Sequence, residues 1–343
     1  MNYTRRIYYL LLVVIIVLLL IYAESLLIPF VLAILIWFVI RVMKHLLRMV
    51  PYLSNWPHWL LTMLSSAILI SLLSLTVSLI SSNIQQLTAS IPAYEKNLNS
   101  LAEKINSTYD IDLVQSITSA IRDFNFSEIL SSLFGALTSI FGNAFLILLY
   151  LVFILLEETI FQRKLEAIYH SPESRERARK MLSKIDRSIN NYIAIKTLTS
   201  LSTGFLSFWV LYFVGLDAPF FWAFIIFMLN YIPNIGSLIA TLFPTVFALL
   251  QFGDLTHPFL VLVIVGAIQL TIGSLLEPRI MGNTLNMSPL VVFLTLALWG
   301  TLWGVTGMLL SVPITVIIIL ILNEFPETRS AAALLSRRGD PGS

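Results

Sequence analysis

Cysteine is absent from the 343 residues, which removes disulfides, thiolate metal sites and cysteine nucleophiles and leaves the redox compartment open. Charge is scarce. Only 12% of residues are Asp, Glu, Lys or Arg, where a soluble domain carries roughly 25%. From Asn191 to Asn323 the only cations are Lys196 and Arg279, and the only anions are Asp217, Asp254 and Glu277. Enzyme signatures are also missing: there is no H-E-x-x-H, no G-x-x-x-x-G-K-[ST] and no G-x-S-x-G. The four histidines (His45, His58, His170, His257) fall at predicted helix ends, where interface residues are commoner than ligands. No catalysis, cofactor, metal or nucleic-acid partner is therefore expected. Without a nucleotide site in the chain, any transport has to be driven by a gradient or by a partner ATPase.

What is present is apolar surface: 57% hydrophobic residues and a mean hydropathy of +0.87. A bilayer core takes about 20 apolar residues per helix. Six uninterrupted candidates, 7–23, 26–40, 59–80, 132–156, 192–214 and 258–277, meet or approach that length. Arg5-Arg6 ahead of the first run resembles a secretory signal, but a second run starts at Leu26 with no A-x-A site between, so a retained anchor is expected. Membrane lipid is the surrounding partner.

Two further segments, 219–251 and 289–323, are too long for one comfortable span and too short for two. They share one punctuation. The first runs from Leu216-Asp217-Ala218-Pro219 through Pro233-Asn234-Ile235-Gly236 to Pro244; the second runs from Leu285-Asn286-Met287-Ser288-Pro289 through Gly304-Val305-Thr306-Gly307 to Pro313. Pro219 to Pro244 is 25 residues and Pro289 to Pro313 is 24. Each reads as two half-helices meeting at a tip, a re-entrant hairpin; a single tilted or kinked helix is the alternative. Paired interrupted segments in the two halves of a membrane protein point to a transporter with its site where the breaks meet; a non-transporting scaffold that docks partner proteins, or a passive channel, is the alternative. The fold class expected is all-α and polytopic, with about eight hydrophobic segments and two helix–hairpin units in an inverted repeat.

Lys and Arg set the orientation. Loop 157–190 holds eight of them, whereas 81–131 holds three against six anions. Both termini are therefore expected in the cytoplasm and 81–131 outside an inner, or plasma, membrane. In chain order this predicts membrane helices over 1–80, an extracytoplasmic helical segment over 81–131, and a membrane helix plus basic cytoplasmic helix over 132–190. A transport unit over 191–323 and a cytoplasmic tail over 324–343 complete the division. Ile84, Leu87, Ile91, Tyr94, Leu98, Leu101 and Ile105 form a heptad stripe that packs within the chain, on 113–124, or on a neighbouring subunit. Ser171-Pro172-Glu173 opens a basic helix expected to lie along the inner leaflet.

Charged residues at membrane depth cost about 2.5–3.5 kcal/mol on insertion scales and are functional candidates by default. Glu277 and Arg279 flank Pro278, ahead of Gly282 and Asn283. They are expected to pair with each other or with the first tip, or else to stop the helix at the surface as an interfacial ion pair. Asn230, Pro233, Asn234 and Gly236 surround the first tip, and Gly304, Thr306, Gly307 and Ser311 the second. Half-helix tips offer N–H groups to an anionic or hydroxyl-rich solute, or carbonyls to a cation; helix packing is the bland role for the glycines. Gln269 and the hydroxyls of Thr199, Ser202 and Thr203 line a path or glue helices together. Asp217 and Asn286 are expected as half-helix N-caps, and Lys196 is expected to snorkel to the inner surface.

Tyr231-Ile232-Pro233-Asn234-Ile235-Gly236, Glu277-Pro278-Arg279-Ile280-Met281-Gly282, Ser288-Pro289-Leu290-Val291-Val292, Gly304-x-x-Gly307 and Val312-Pro313 together resemble the autoinducer-2 exporter family of permeases. The likeness covers nearly the whole chain. It implies an exporter or antiporter of a small substrate, since members are linked to release of a furanosyl signalling molecule and others to sodium or lithium exchange for protons. It also implies a homo-oligomer, with five subunits as one arrangement, and an elevator-like moving half. Asn234 departs from the pattern, because relatives often carry an aromatic there.

Overall fold

The computed structural model describes residues 3–109, 135, 142–168, 171–233, 235–281, 287–325 and 327–337. Among these the protein is helices joined by turns, with no strand beyond one isolated antiparallel bridge between Met287 and Ser336. Helices α1 (Tyr3–Tyr22), α2 (Glu24–Arg48) and α3 (His58–Tyr109) are followed by α4 (Ala144–Ile168) and α5 (Pro172–Val214). Then come α6 (Pro219–Leu229), α7 (Ile235–Phe252), α8 (Thr256–Gln269), a π-helical turn (Leu270–Leu276), α9 (Glu277–Met281), α10 (Pro289–Glu324) and α11 (Arg329–Leu335). Six described stretches are long and apolar enough to cross a membrane. Their large apolar side chains are widely exposed, among them Leu72, Phe205, Phe259 and Phe293. A soluble fold does not leave so much apolar surface to water; a multi-pass membrane protein turns it to lipid.

The chain forms two compact units: Met1–Asn55 with Ala136–Ile193 and Asn283–Ser343, and Trp56–Gly135 with Ala194–Gly282. Segment 219–251 lies in the second and 289–323 in the first.

In the second unit α6 and α7 fold against each other around the turn Asn230–Pro233. A Cβ on Gly236 would sit 1.8 Å from the Leu229 carbonyl oxygen and 2.9 Å from Ile232 Cβ, so only glycine lets the returning arm come this close. The open end is latched by Gln251, whose amide accepts from the Asp217 N–H at 2.7 Å and donates to the Gly215 carbonyl at 2.9 Å. Helix α3 packs on both arms. Its Tyr94 donates to the Asp217 carboxylate at 2.7 Å and meets the Phe247 ring edge-on at 5.1 Å. The buried part of the heptad stripe, Leu87 and Tyr94, is thus covered within the chain. The side chains of Leu98, Leu101 and Ile105, and all of 113–124, lie outside the described residues.

In the first unit α10 is interrupted at Trp303 (φ −129°, ψ 19°) and Gly304 (φ 59°, ψ −143°), the second a conformation essentially restricted to glycine. By length and apolarity Pro289–Glu324 is a candidate for one span, yet it does not run straight. Trp299 Nε1 donates to Thr315 Oγ1 at 3.3 Å, across a separation that a continuous helix would stretch to about 24 Å. A Cβ on Gly307 would sit 1.8 Å from the Trp299 carbonyl oxygen and 2.9 Å from Trp303 Cβ. The two tips, about seventy residues apart, are closed by the same contact of glycine on carbonyl. Trp299, Trp303 and Leu310 form a buried cluster that packs on Leu27 and Val31 of α2, and Trp303 Nε1 donates to the Leu20 carbonyl at 3.0 Å. A Cβ at position 304 would meet nothing within 4 Å. Gly304→Ala is therefore expected to cost only its backbone strain, about 1–3 kcal/mol, read as a lowered unfolding temperature without loss of expression.

Three local expectations are corrected. The basic helix does not lie apart along the leaflet: it is the first half of α5, which runs unbroken from Pro172 to Val214 because no proline or glycine intervenes before Gly204. Its start is as expected, with Ser171 Oγ accepting from the Ser174 N–H at 3.2 Å. Asp217 does not cap α6; Ala218 holds that place in a left-handed conformation (φ 52°, ψ 52°), and the Asp217 carboxylate is taken by Tyr94. Ser288 caps α10, accepting from Val291 N–H at 3.2 Å, while Asn286 lies outside the described residues.

Candidate functional site

The second half of α5 carries a polar face: Lys196, Thr199, Ser200, Thr203 and Ser207 recur at helical spacing, and all are buried. Gly204 on the neighbouring face lets α5 approach α6, since a Cβ there would stand 3.1 Å from both the Ala223 carbonyl oxygen and Phe227 Cβ. Some of these hydroxyls satisfy themselves on their own helix, as Thr203 does on the Thr199 carbonyl at 2.8 Å. Others reach neighbours. Asn230, at the end of α6, donates to Ser200 Oγ at 3.3 Å, and the Tyr231 hydroxyl shares a 2.8 Å hydrogen bond with Thr197.

Lys196 meets Glu277 from the other side. Lys196 Nζ donates to Glu277 Oε1 at 2.5 Å, and Thr199 Oγ1 donates to Oε2 at 3.3 Å. The side chains are 6% and 14% exposed, so the pair is nearly dry. This overturns the snorkelling expectation for Lys196. Because α5 begins at Pro172, the lysine stands 24 residues into the helix rather than one turn into it. That places it about 36 Å from the start of the helix, and a charge so enclosed has to find a counter-charge.

Glu277 is delivered by an irregular backbone. The π-helical turn Leu270–Leu276 stands immediately before it, and Pro278 immediately after. A proline removes its own N–H and crowds the carbonyl four residues back, at Ser274, and a widened π turn relieves that conflict. Pro278 therefore distorts the helix upstream and does not end it, since α9 continues to Met281.

Gln269, at the end of α8, is 5% exposed, and neither its amide nitrogen nor its oxygen has a partner. Leaving such a group unsatisfied costs about 1–3 kcal/mol. Ser207 Oγ and Trp222 Nε1 share that condition.

Of the residues expected from the sequence, Asn230 and Glu277 converge on one stretch of α5, while Pro233 and Gly236 build the turn beside it. Gln269 is buried but makes no hydrogen bond to that group. Arg279 is exposed and does not pair with Glu277. Gly304, Thr306, Gly307 and Ser311 belong to the other unit, where Gly304 and Gly307 form the tip and buried Ser311 donates to the Met308 carbonyl at 2.8 Å. Asn234, Gly282 and Asn283 lie outside the described residues. Thr197 and Ser200 carry no signal in the sequence, Tyr231 stands there only as part of a motif, and Lys196 reads there as a snorkelling residue. Lys196 was within reach by elimination, because a lone lysine in an uncharged run needs one of three acids.

Comparison with known proteins agrees with this architecture. A family model described as AI-2E family transporter matches residues 10–327. The AI-2 transport protein TqsA of Escherichia coli is 31% identical over 321 residues, 92% of this chain and 90% of that protein. Relatives from Haemophilus influenzae (31% over 324 residues; 91% and 90% of the two chains) and Borreliella burgdorferi (33% over 250 residues; 71% and 67%) both contain the words transport protein in their names. The family model covers nearly the whole chain, and the chain belongs to the AI-2E family of membrane transporters.

Proposed function

We propose that this chain is a secondary transporter of the inner membrane that moves a small polar solute or ion by alternating access, with the Lys196–Glu277 pair as its coupling element. The observation that carries the reading is that pair: two opposite charges, almost out of contact with solvent, beside the tip of a broken helix. A proton or sodium ion on Glu277 offsets the charge that holds the Lys196 ammonium, so ion binding and ion pairing oppose each other and each turnover weakens a buried contact. The two glycine-closed arms, each with its preceding helix, form an inverted repeat whose arms open in turn to opposite faces. Both termini are cytoplasmic.

The solute site lies along the hydroxyl face of α5, where Thr197, Ser200 and Asn230 offer donors and acceptors of the kind a hydroxylated molecule needs. The relative named for AI-2 transport makes AI-2 the first solute to try, with sodium and lithium ions as the alternative cargo.

Flux in proteoliposomes under imposed pH and sodium gradients tests the reading. Glu277→Gln is expected to abolish gradient dependence; an unchanged rate with an unchanged pH profile would remove Glu277 from the mechanism. Single cysteines placed across 228–238 and 300–310, in a chain with no native thiol, test re-entrance. Both flanks of one tip should be labelled from the same side, and labelling from opposite sides would make that arm an ordinary crossing.

A further inference from the structure

Four of the five residues from Lys196 to Ser200 reach off α5, and they reach in two directions. Lys196 and Thr199 take the two oxygens of the Glu277 carboxylate. Thr197, Ser200 and Gly204 recur at i, i+3 and i+7, a second stripe turned from the first by about 100°. Every member of that stripe meets the first hairpin. Thr197 shares its hydrogen bond with the Tyr231 hydroxyl at 2.8 Å, Ser200 Oγ accepts from Asn230 at 3.3 Å, and Gly204 lies against Ala223 and Phe227. Leu198, the fifth residue, is exposed and turns away from both partners.

The second stripe fixes the tip. Phe227, which Gly204 lets come close, stands edge-on to the Tyr231 ring at 5.7 Å and so helps to set where its hydroxyl lies. Asn230 and Tyr231 directly precede Ile232 and Pro233, the reversal that Gly236 closes. Because α5 is one unbroken helix, it cannot follow a displaced Glu277 on one stripe without carrying the other stripe off the tip. A rigid element that two sites both bias is the physical means of coupling them.

We propose that this turn of α5 links the ion pair to the first hairpin, with the Tyr231 hydroxyl on Thr197 as the positioning contact. Release of Glu277 from Lys196 shifts α5 and frees the tip to open. Tyr231 is a positioning residue that acts through Thr197. The link deepens the coupling reading above and rests on it for the role of the pair.

A cysteine in place of Ile232, 3% exposed at the tip of a chain with no native thiol, reports opening through its rate of labelling by a hydrophilic maleimide. The full chain is labelled in liposomes without solute or gradient. The pair is removed as Lys196→Met with Glu277→Gln, which leaves no lone buried charge, and perturbed more gently as Thr199→Val. The first should raise the labelling rate about tenfold and the second about threefold, as expected of residues in contact. With Tyr231→Phe or Thr197→Val already in place, neither change should move the rate further. Thr197→Ser, which keeps the hydroxyl, should preserve the dependence on the pair. A purely structural Tyr231 would add its own increment and leave the factor unchanged. A cysteine in place of Val261, fully buried on α8, should stay unlabelled throughout. A rate indifferent to the pair, the same factor with and without the Tyr231 hydroxyl, or labelling at position 261 in step with 232 would overturn the proposal. Labelling needs no flux, so a tip that follows the pair in a protein whose flux ignores it would support the link and sink the coupling reading alone.

Discussion

Lys196→Met should be among the most destabilising single substitutions in this protein, while Lys196→Met combined with Glu277→Gln should fold and fail to transport. The single change leaves a carboxylate nearly dry and without its cation, with only the Thr199 hydroxyl to support it. Breaking a buried pair by removing one partner costs about 3–5 kcal/mol, whereas replacing both by neutral groups is often neutral or favourable. Thermal unfolding in detergent reads the stability, and proteoliposome flux reads the function. The double variant should recover most of the loss, a non-additivity of about 0.5–3 kcal/mol expected of residues in contact. A Lys196→Met protein as stable as the parent would show that the two charges do not depend on each other. A double variant that still couples transport to a gradient would place the coupling elsewhere.

Gly307→Val and Gly236→Val should each prevent closure of a tip. At both positions a Cβ would stand 1.8 Å from a backbone carbonyl oxygen, Trp299 in one and Leu229 in the other. Overpacking a core against side chains costs about 1–3 kcal/mol because rotamers can adjust. Here the obstacle is main chain, so the arms themselves must part, and the cost should exceed that range. The expected result is poor expression, a strongly lowered unfolding temperature and no flux. Gly273→Ala is the control, since a Cβ there would meet nothing within 4 Å, and it should behave as the parent does. Parent-like stability of Gly307→Val would mean that the halves of α10 do not pack as a hairpin.

Much of this architecture is local in origin and was legible for that reason. Scarce charge, long apolar runs and the proline–tip–proline punctuation are properties of short windows. They were enough for an all-α, multi-pass protein with two interrupted segments. Gly304 and Gly307 could be singled out because reversal and close approach exclude a side chain at such points. The ends of elements were less legible. The start of α10 is capped by Ser288 rather than Asn286, because its hydroxyl is the acceptor three residues before the Val291 N–H. Asp217 was lost as a cap to a tyrosine on α3, far away in the chain.

The sequence by itself determined that this chain lives in lipid, where it breaks, and that Glu277 stands nearly alone among apolar neighbours, since each of these follows from the transfer cost of a residue and the steric limits of its own backbone. Only the tertiary structure decided that Glu277 belongs to Lys196, 81 positions earlier. That pairing depends on α5 running unbroken from Pro172, on a π turn re-aiming the residue before Pro278, and on a glycine letting α5 and α6 touch. Those are facts about which helices share a face, and no window along the chain contains them.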